Sequence, residues 1–180
     1  MSTQNSGDAQ LNKRSEQGLA LSTAQSDIAT WRDPEWQRLW LAVEARPWRA
    51  LALIPAGQGA LPNFTLVVAV ALSRTGMVHL GSPIQVADAT RIQLGDLNPF
   101  IDEVRRCTRN GDRLLVALPP LEGNPITGSI VQAADAAMLC VQLDRMKTSE
   151  AQKTVRQVGA SRFIGSAIFH AQGTSPTPQR

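Results

Sequence analysis

The residues best placed to do chemistry in this 180-residue chain fall in two stretches, Leu51–Thr65 and Leu114–Pro120. The first reads as a short apolar strand running into a glycine-containing loop, Ile54-Pro-Ala-Gly-Gln-Gly-Ala-Leu-Pro, and then into the helix-like apolar run Phe64–Leu72. A phosphate-binding loop has this outline: loop amides and a Lys cradle the phosphates while a Ser or Thr holds magnesium. Here no Lys or Arg occurs between Arg49 and Arg74. The outline is present and the charged groups are not.

Other reactive side chains lack the partners that catalysis needs. His79 is expected inside a strand and His170 at a strand end, with no Cys or carboxylate at a ligand-like spacing. Cys140 lies among Met138, Leu139 and Val141, where a thiol behaves as a small apolar group. Cys107 and Cys140 form no metal or redox spacing, as expected of a reduced cytosolic protein. Ser129 and Ser166 have no Gly-x-Ser-x-Gly elbow, which removes support for acyl transfer. Asp102 and Glu103 read as charges in the first turn of a helix, and Asp135 as a scaffold residue.

These residues need an alternating framework to hold them. Asp33-Pro-Glu suits a helix start, and Trp36, Leu39, Trp40 and Val43 recur at helical spacing before Pro47 ends the run. Apolar segments at Ala50–Ile54, Met77–Leu80, Arg113–Leu118, Ala137–Leu143 and Phe163–Phe169 predict buried parallel strands. Helices are expected at Thr65–Arg74, Leu97–Arg109, Thr127–Ala134 and Ser149–Val158, with a turn at Asn110-Gly111. The repetition predicts an α/β fold, an open mostly parallel sheet flanked by helices in three layers. The expected organisation is a disordered polar tail over 1–28, one domain over 29–170 and a second tail over 171–180.

Composition narrows the function classes. Hydrophobic residues make up 43 %, enough for a core, and the net charge is +3 with scattered arginines. Scattered charge argues against nucleic acid as a partner. No apolar run reaches the ~20 residues of a membrane span, and no basic-then-apolar leader is visible.

The order of segments from Asp33 to Phe169 resembles the kinase module of bacterial polysaccharide co-polymerases, the CpsD/CapB type of tyrosine autokinase within the MinD/ParA-like P-loop group. Glu35-Trp-Gln-Arg38 resembles that family's Glu-x-x-Arg-x-x-Arg oligomerisation motif, with Leu41 in place of the last Arg. Ile54-Pro-Ala-Gly-Gln-Gly occupies the Walker A slot, Leu114-Leu-Val-Ala-Leu-Pro-Pro the Walker B strand, and Ala134-Asp-Ala-Ala-Met-Leu-Cys-Val-Gln-Leu the family's Ala-Asp-Gly segment. The resemblance implies a P-loop NTPase-like domain, cytoplasmic and peripheral to the inner membrane through a partner.

Against that family the departures decide. Leu61, Pro62 and Asn63 fall where it has Lys, Ser and Thr; Gly81 and Pro83 where the acidic pair of a second Walker-like motif would be; Ala117 where the Walker B Asp would be. Pro62 has neither a hydroxyl nor a backbone N–H. Phosphoryl transfer rests on positioning and charge stabilisation, so these losses remove the mechanism. The family's C-terminal Tyr cluster is also missing, since the chain has no Tyr. The expectation is a non-enzyme, with no catalytic, cofactor-binding or metal-binding residue and no cofactor.

Its partner is expected to be a protein, a membrane-embedded polysaccharide co-polymerase or synthase component in exopolysaccharide or cellulose biosynthesis and export, with a homo-oligomer as the other arrangement. Glu35, Trp36, Arg38 and Trp40 on the opening helix are the interface candidates, weighed against a face that packs on the sheet and a plain surface ion pair. Two competing readings are a MinD/ParA- or RecA-like pseudo-ATPase in cell division or DNA maintenance, and a nucleotide hydrolase activated by a partner.

Overall fold

The computed structural model describes residues 32–170 and the backbone of 173–178. Helix α1 (Pro34–Glu44) starts as its sequence dictates: Pro34 takes the first turn and the Asp33 carboxylate accepts the Glu35 amide at 2.9 Å. Strand β1 (Ala50–Pro55) is buried along its whole length, as a central parallel strand must be. The remaining elements are α2 (Phe64–Leu80), β2 (Ile84–Asp88), α3 (Leu97–Arg109), β3 (Arg113–Ala117), α4 (Pro125–Ala133), β4 (Ala136–Gln142), α5 (Thr148–Val158), β5 (Phe163–His170) and β6 (Gly173–Pro178).

The sheet runs β2-β3-β1-β4-β5-β6. All pairings from β2 to β5 are parallel, and β6 joins β5 antiparallel. Alternation along β1 builds two cores. Leu51 and Leu53 face α1 and α2, where Trp36, Trp40, Trp48, Leu72 and Phe169 fill the space. Ala50, Ala52 and Ile54 face the other side with Val104 of α3, Ile130 of α4 and Val158 of α5. The result is the three-layer α/β architecture that the segment order predicts.

Three expectations are corrected. Met77–Leu80 is the last turn of α2 and not a strand. That helix is apolar on most of its circumference, so its end has no amphipathic signature to separate it from a strand. Its stop is Gly81, left-handed at φ 68°, whose amide donates to Met77 O at 2.9 Å; Pro83 follows, and the strand is Ile84–Asp88. Gly173–Pro178, expected within a disordered tail, pairs on β5. Asp102 and Glu103 lie in the second turn of α3, which begins at Leu97. The tail over 1–28 lies outside the described residues.

Candidate functional site

Parallel α/β sheets place ligands at the carboxyl ends of their strands. Here the ends of β1, β2 and β3 border one cleft of about 320 Å³. The loop from Ala56 to Asn63 forms one wall, and several of its polar groups are bonded to protein. The Ala56 amide donates to Cys140 O at 2.9 Å, and the Thr154 hydroxyl of α5 donates to Ala56 O at 3.1 Å. The Leu61 amide donates to the buried Gln142 Oε1 at 3.0 Å, and Gln58 Nε2 reaches Glu122 O at 3.1 Å.

The two loop glycines are held against protein. A Cβ on Gly57 would overlap the Glu150 carboxylate, and one on Gly59 would overlap the carbonyl oxygen of Arg145. The loop is therefore packed on the turn after β4 and on the first turn of α5. The Glu150 carboxylate lies against the loop at Gly57. Asn63 stands at φ 58° with no side-chain bond to the start of α2.

The other walls carry little charge. The Thr65 hydroxyl donates to Leu118 O at 2.8 Å. Ala117, at the end of β3, is buried and accepts the Ala89 amide through its carbonyl. The true end of β2 corrects one expectation. Gly81 and Pro83 sit before that strand, at its amino end, so they cannot stand for acidic residues at the site. What reaches the cleft is the segment after Asp88, with Thr90 and Arg91 among its lining.

Asp88 is thus an acidic residue at a strand end that the sequence reading missed. Its signal was the Gly81 and Pro83 stop before the Ile84-Gln-Val-Ala strand. Its Oδ1 accepts both the Thr90 amide, at 2.9 Å, and the Thr90 hydroxyl, at 2.6 Å, in a local turn. Among the described residues no three His, Cys, Asp or Glu side chains converge to hold a metal ion.

The remaining candidates lie elsewhere. His79 is in the last turn of α2, 3.5 Å from Glu44 Oε2, instead of in a strand. His170 ends β5. Cys140 is fully buried in β4, and burial pushes its thiol well above the usual range. Burial, then the Glu103 charge, also raises the Cys107 thiol. Both are poor nucleophiles. Ser129 lies in α4 and Ser166 in β5. Glu103 pairs with Arg106, which holds its carboxyl below the usual range. Asp135 Oδ2 accepts the amides of Arg49 and Ala50, both at 2.8 Å, and so anchors the start of β1.

On α1 the candidates divide. Trp36 and Trp40 are only 2 % and 1 % exposed, so in this structure they offer no surface. Trp36 packs on Phe169 at 5.8 Å between ring centroids, and Trp40 meets Trp48 edge-on at 6.2 Å. Their size and helical spacing serve the core. Glu35 and Arg38 form an exposed pair at 2.7 Å, beside an exposed Leu41. None of the four borders the cleft.

No family model and no curated protein matches this chain. Among solved structures it is similar to the BceF tyrosine kinase domain, with a TM-score of 0.50 and 15 % identity over 73 % of this chain and 72 % of that one. The likeness establishes a tyrosine kinase-domain-like fold. Among the described residues no helix is long and apolar enough to cross a membrane.

Proposed function

We propose that this chain is a catalytically inactive member of the kinase-like fold that acts by protein–protein contact in bacterial exopolysaccharide or cellulose biosynthesis and export. The observation that carries the reading is the loop between β1 and α2. It holds no cation, its Leu61 amide is bonded inside the protein, and its glycines pack against Glu150 and Arg145. Triphosphate binding needs a cation on the phosphates and a hydroxyl on magnesium, and this loop has no Lys, Arg, Ser or Thr. Asp88, the one carboxylate at the end of β2, is engaged by Thr90.

The sugar-polymer setting comes from the segment order shared with the co-polymerase kinases, and the likeness to a tyrosine kinase domain supports it. The partner is a membrane-embedded co-polymerase or synthase component. Glu35, Arg38 and Leu41 are the outward groups of α1 that would meet it.

Titration calorimetry with Mg-ATP tests the central claim. The expected result is no heat of binding and no turnover. Micromolar affinity, or hydrolysis by the isolated protein, overturns it. Recovery of a polysaccharide co-polymerase or synthase component with the tagged protein from its native cell tests the setting. Recovery of division or DNA-repair proteins instead would overturn that setting.

A further inference from the structure

The cleft at the strand ends has a composition of its own. Four prolines line it: Pro55, Pro62, Pro119 and Pro120. Leu61, Phe64 and Leu118 add hydrocarbon. Proline has no N–H to donate, so these walls offer ring carbon and carbonyl oxygen in place of the amide donors a polyphosphate needs. Both threonine hydroxyls of the lining are engaged, Thr65 to Leu118 O and Thr90 to Asp88. Polar selectivity must therefore come from very few groups.

Arg91 is, among the described residues, the one charged residue in the lining. Among the described residues it makes no ion pair, whereas Glu35, Glu44, Glu103 and Glu122 each have a basic partner. Asn63, Phe64 and Thr65 bring the amino end of the 17-residue helix α2 to the same cleft, and that end carries partial positive charge. One fork-shaped guanidinium beside apolar walls matches a single carboxylate on a hydrocarbon body. The volume of about 320 Å³ is at the small end of ligand pockets.

We infer that this cleft binds a monoanionic ligand with an apolar body, its carboxylate paired with Arg91 and its hydrocarbon against the proline, leucine and phenylalanine walls. The inference rests on the reading that the cleft does not take a magnesium nucleotide. Two sources share this chemistry: a free carboxylic acid, and the carboxyl terminus of a polypeptide ending in an apolar residue.

The test is a titration of the full chain followed by amide chemical shifts, with three probes. Octanoate represents the free acid, acetylated Ala-Ala-Leu the chain terminus, and the same tripeptide as its carboxamide removes the charge. At least one carboxylate should saturate, shift amides over 58–65 and 118–121, and bind about tenfold more tightly than the carboxamide, as expected for a charge-assisted pair. The tighter of the two carboxylates identifies the source. Arg91→Gln should abolish that preference, and Arg105→Gln, on exposed α3, should leave it intact. Leu61→Glu, which brings a like charge into the wall, should weaken the carboxylate alone.

Equal binding of acid and carboxamide, an unchanged preference in Arg91→Gln, or no saturable binding of either carboxylate overturns the inference. Failure of the carboxylates while Mg-ATP also fails to bind removes this inference and leaves the inactive-kinase reading standing. Binding of Mg-ATP removes that reading itself.

Discussion

The two ends of the sheet treat charge in opposite ways. At the amino end, charged groups are drawn in and satisfied. Asp135 takes two main-chain amides at the start of β1. Glu44 accepts from Trp40 Nε1 at 3.0 Å and from Arg113 at 3.3 Å, and the Arg113 guanidinium lies 5.1 Å over the Trp48 ring. At the carboxyl end the cleft is lined by apolar and neutral polar side chains with, among the described residues, one charged side chain, Arg91. The fold is held where charge has partners. The lining of the cleft at the other end brings few charges together.

The first way to break this contrast is to truncate one large side chain at each end. Trp40→Ala removes a ring that is 1 % exposed and should cost about 3–5 kcal/mol in chemical denaturation. Leu61→Ala, at 39 % exposure in the cleft wall, should cost under about 1 kcal/mol. Equal losses would show that the two ends carry the fold alike.

A smaller effect is expected at Asp135. Asp135→Ala leaves the amides of Arg49 and Ala50 without their acceptor and should destabilise by about 1–3 kcal/mol, read as a shift in the denaturation midpoint. No change would mean that the anchor of β1 is dispensable and that the amino end owes its stability to packing alone.

The last effect is absent at neutral pH, grows only in alkali, and comes from Cys140. Burial holds its thiol above the usual range, so the folded chain keeps this proton longer than the unfolded chain does. Its stabilising contribution is therefore complete below the ordinary thiol range and is lost progressively as pH rises above it. The Cys107 thiol, also raised, adds in the same direction. Cys140→Ala should flatten part of the alkaline fall in melting temperature while leaving the neutral-pH transition cooperative. An unaltered alkaline limb would show that this thiol does not titrate on unfolding.

Much of the architecture was legible because burial writes a simple pattern. Helix α3 and strands β3, β4 and β5 follow from apolar runs bounded by turn residues, and α3 begins and ends where its spacing places it. The misreading at Met77–Leu80 arose where that pattern fails, since a helix apolar all round shows no period at its end. It set the expected strand ahead of the real one and so hid Asp88. Strand β6 was unreadable for another reason: Gly173-Thr-Ser-Pro-Thr-Pro has turn-forming composition, and its pairing with β5 is set by tertiary context.

At the site, the uncharged residues Leu61, Pro62 and Ala117 were visible as residue types. The lone Arg91 was not, because only the fold brings it beside the prolines of two other segments. The tryptophans show the limit of spacing as evidence. Four residues apart puts Trp36 and Trp40 on one face of a helix, and whether that face looks inward is a fact of packing.

Gly57 and Gly59 have a further consequence. Each leaves room for another stretch of the same chain, the Glu150 side chain in one case and the Arg145 peptide in the other. The spacing that would pass for a nucleotide signature here measures steric clearance between this loop and the turn and helix that follow β4. Adding a methyl at Gly59 would push two backbone segments apart whether or not any ligand ever visits.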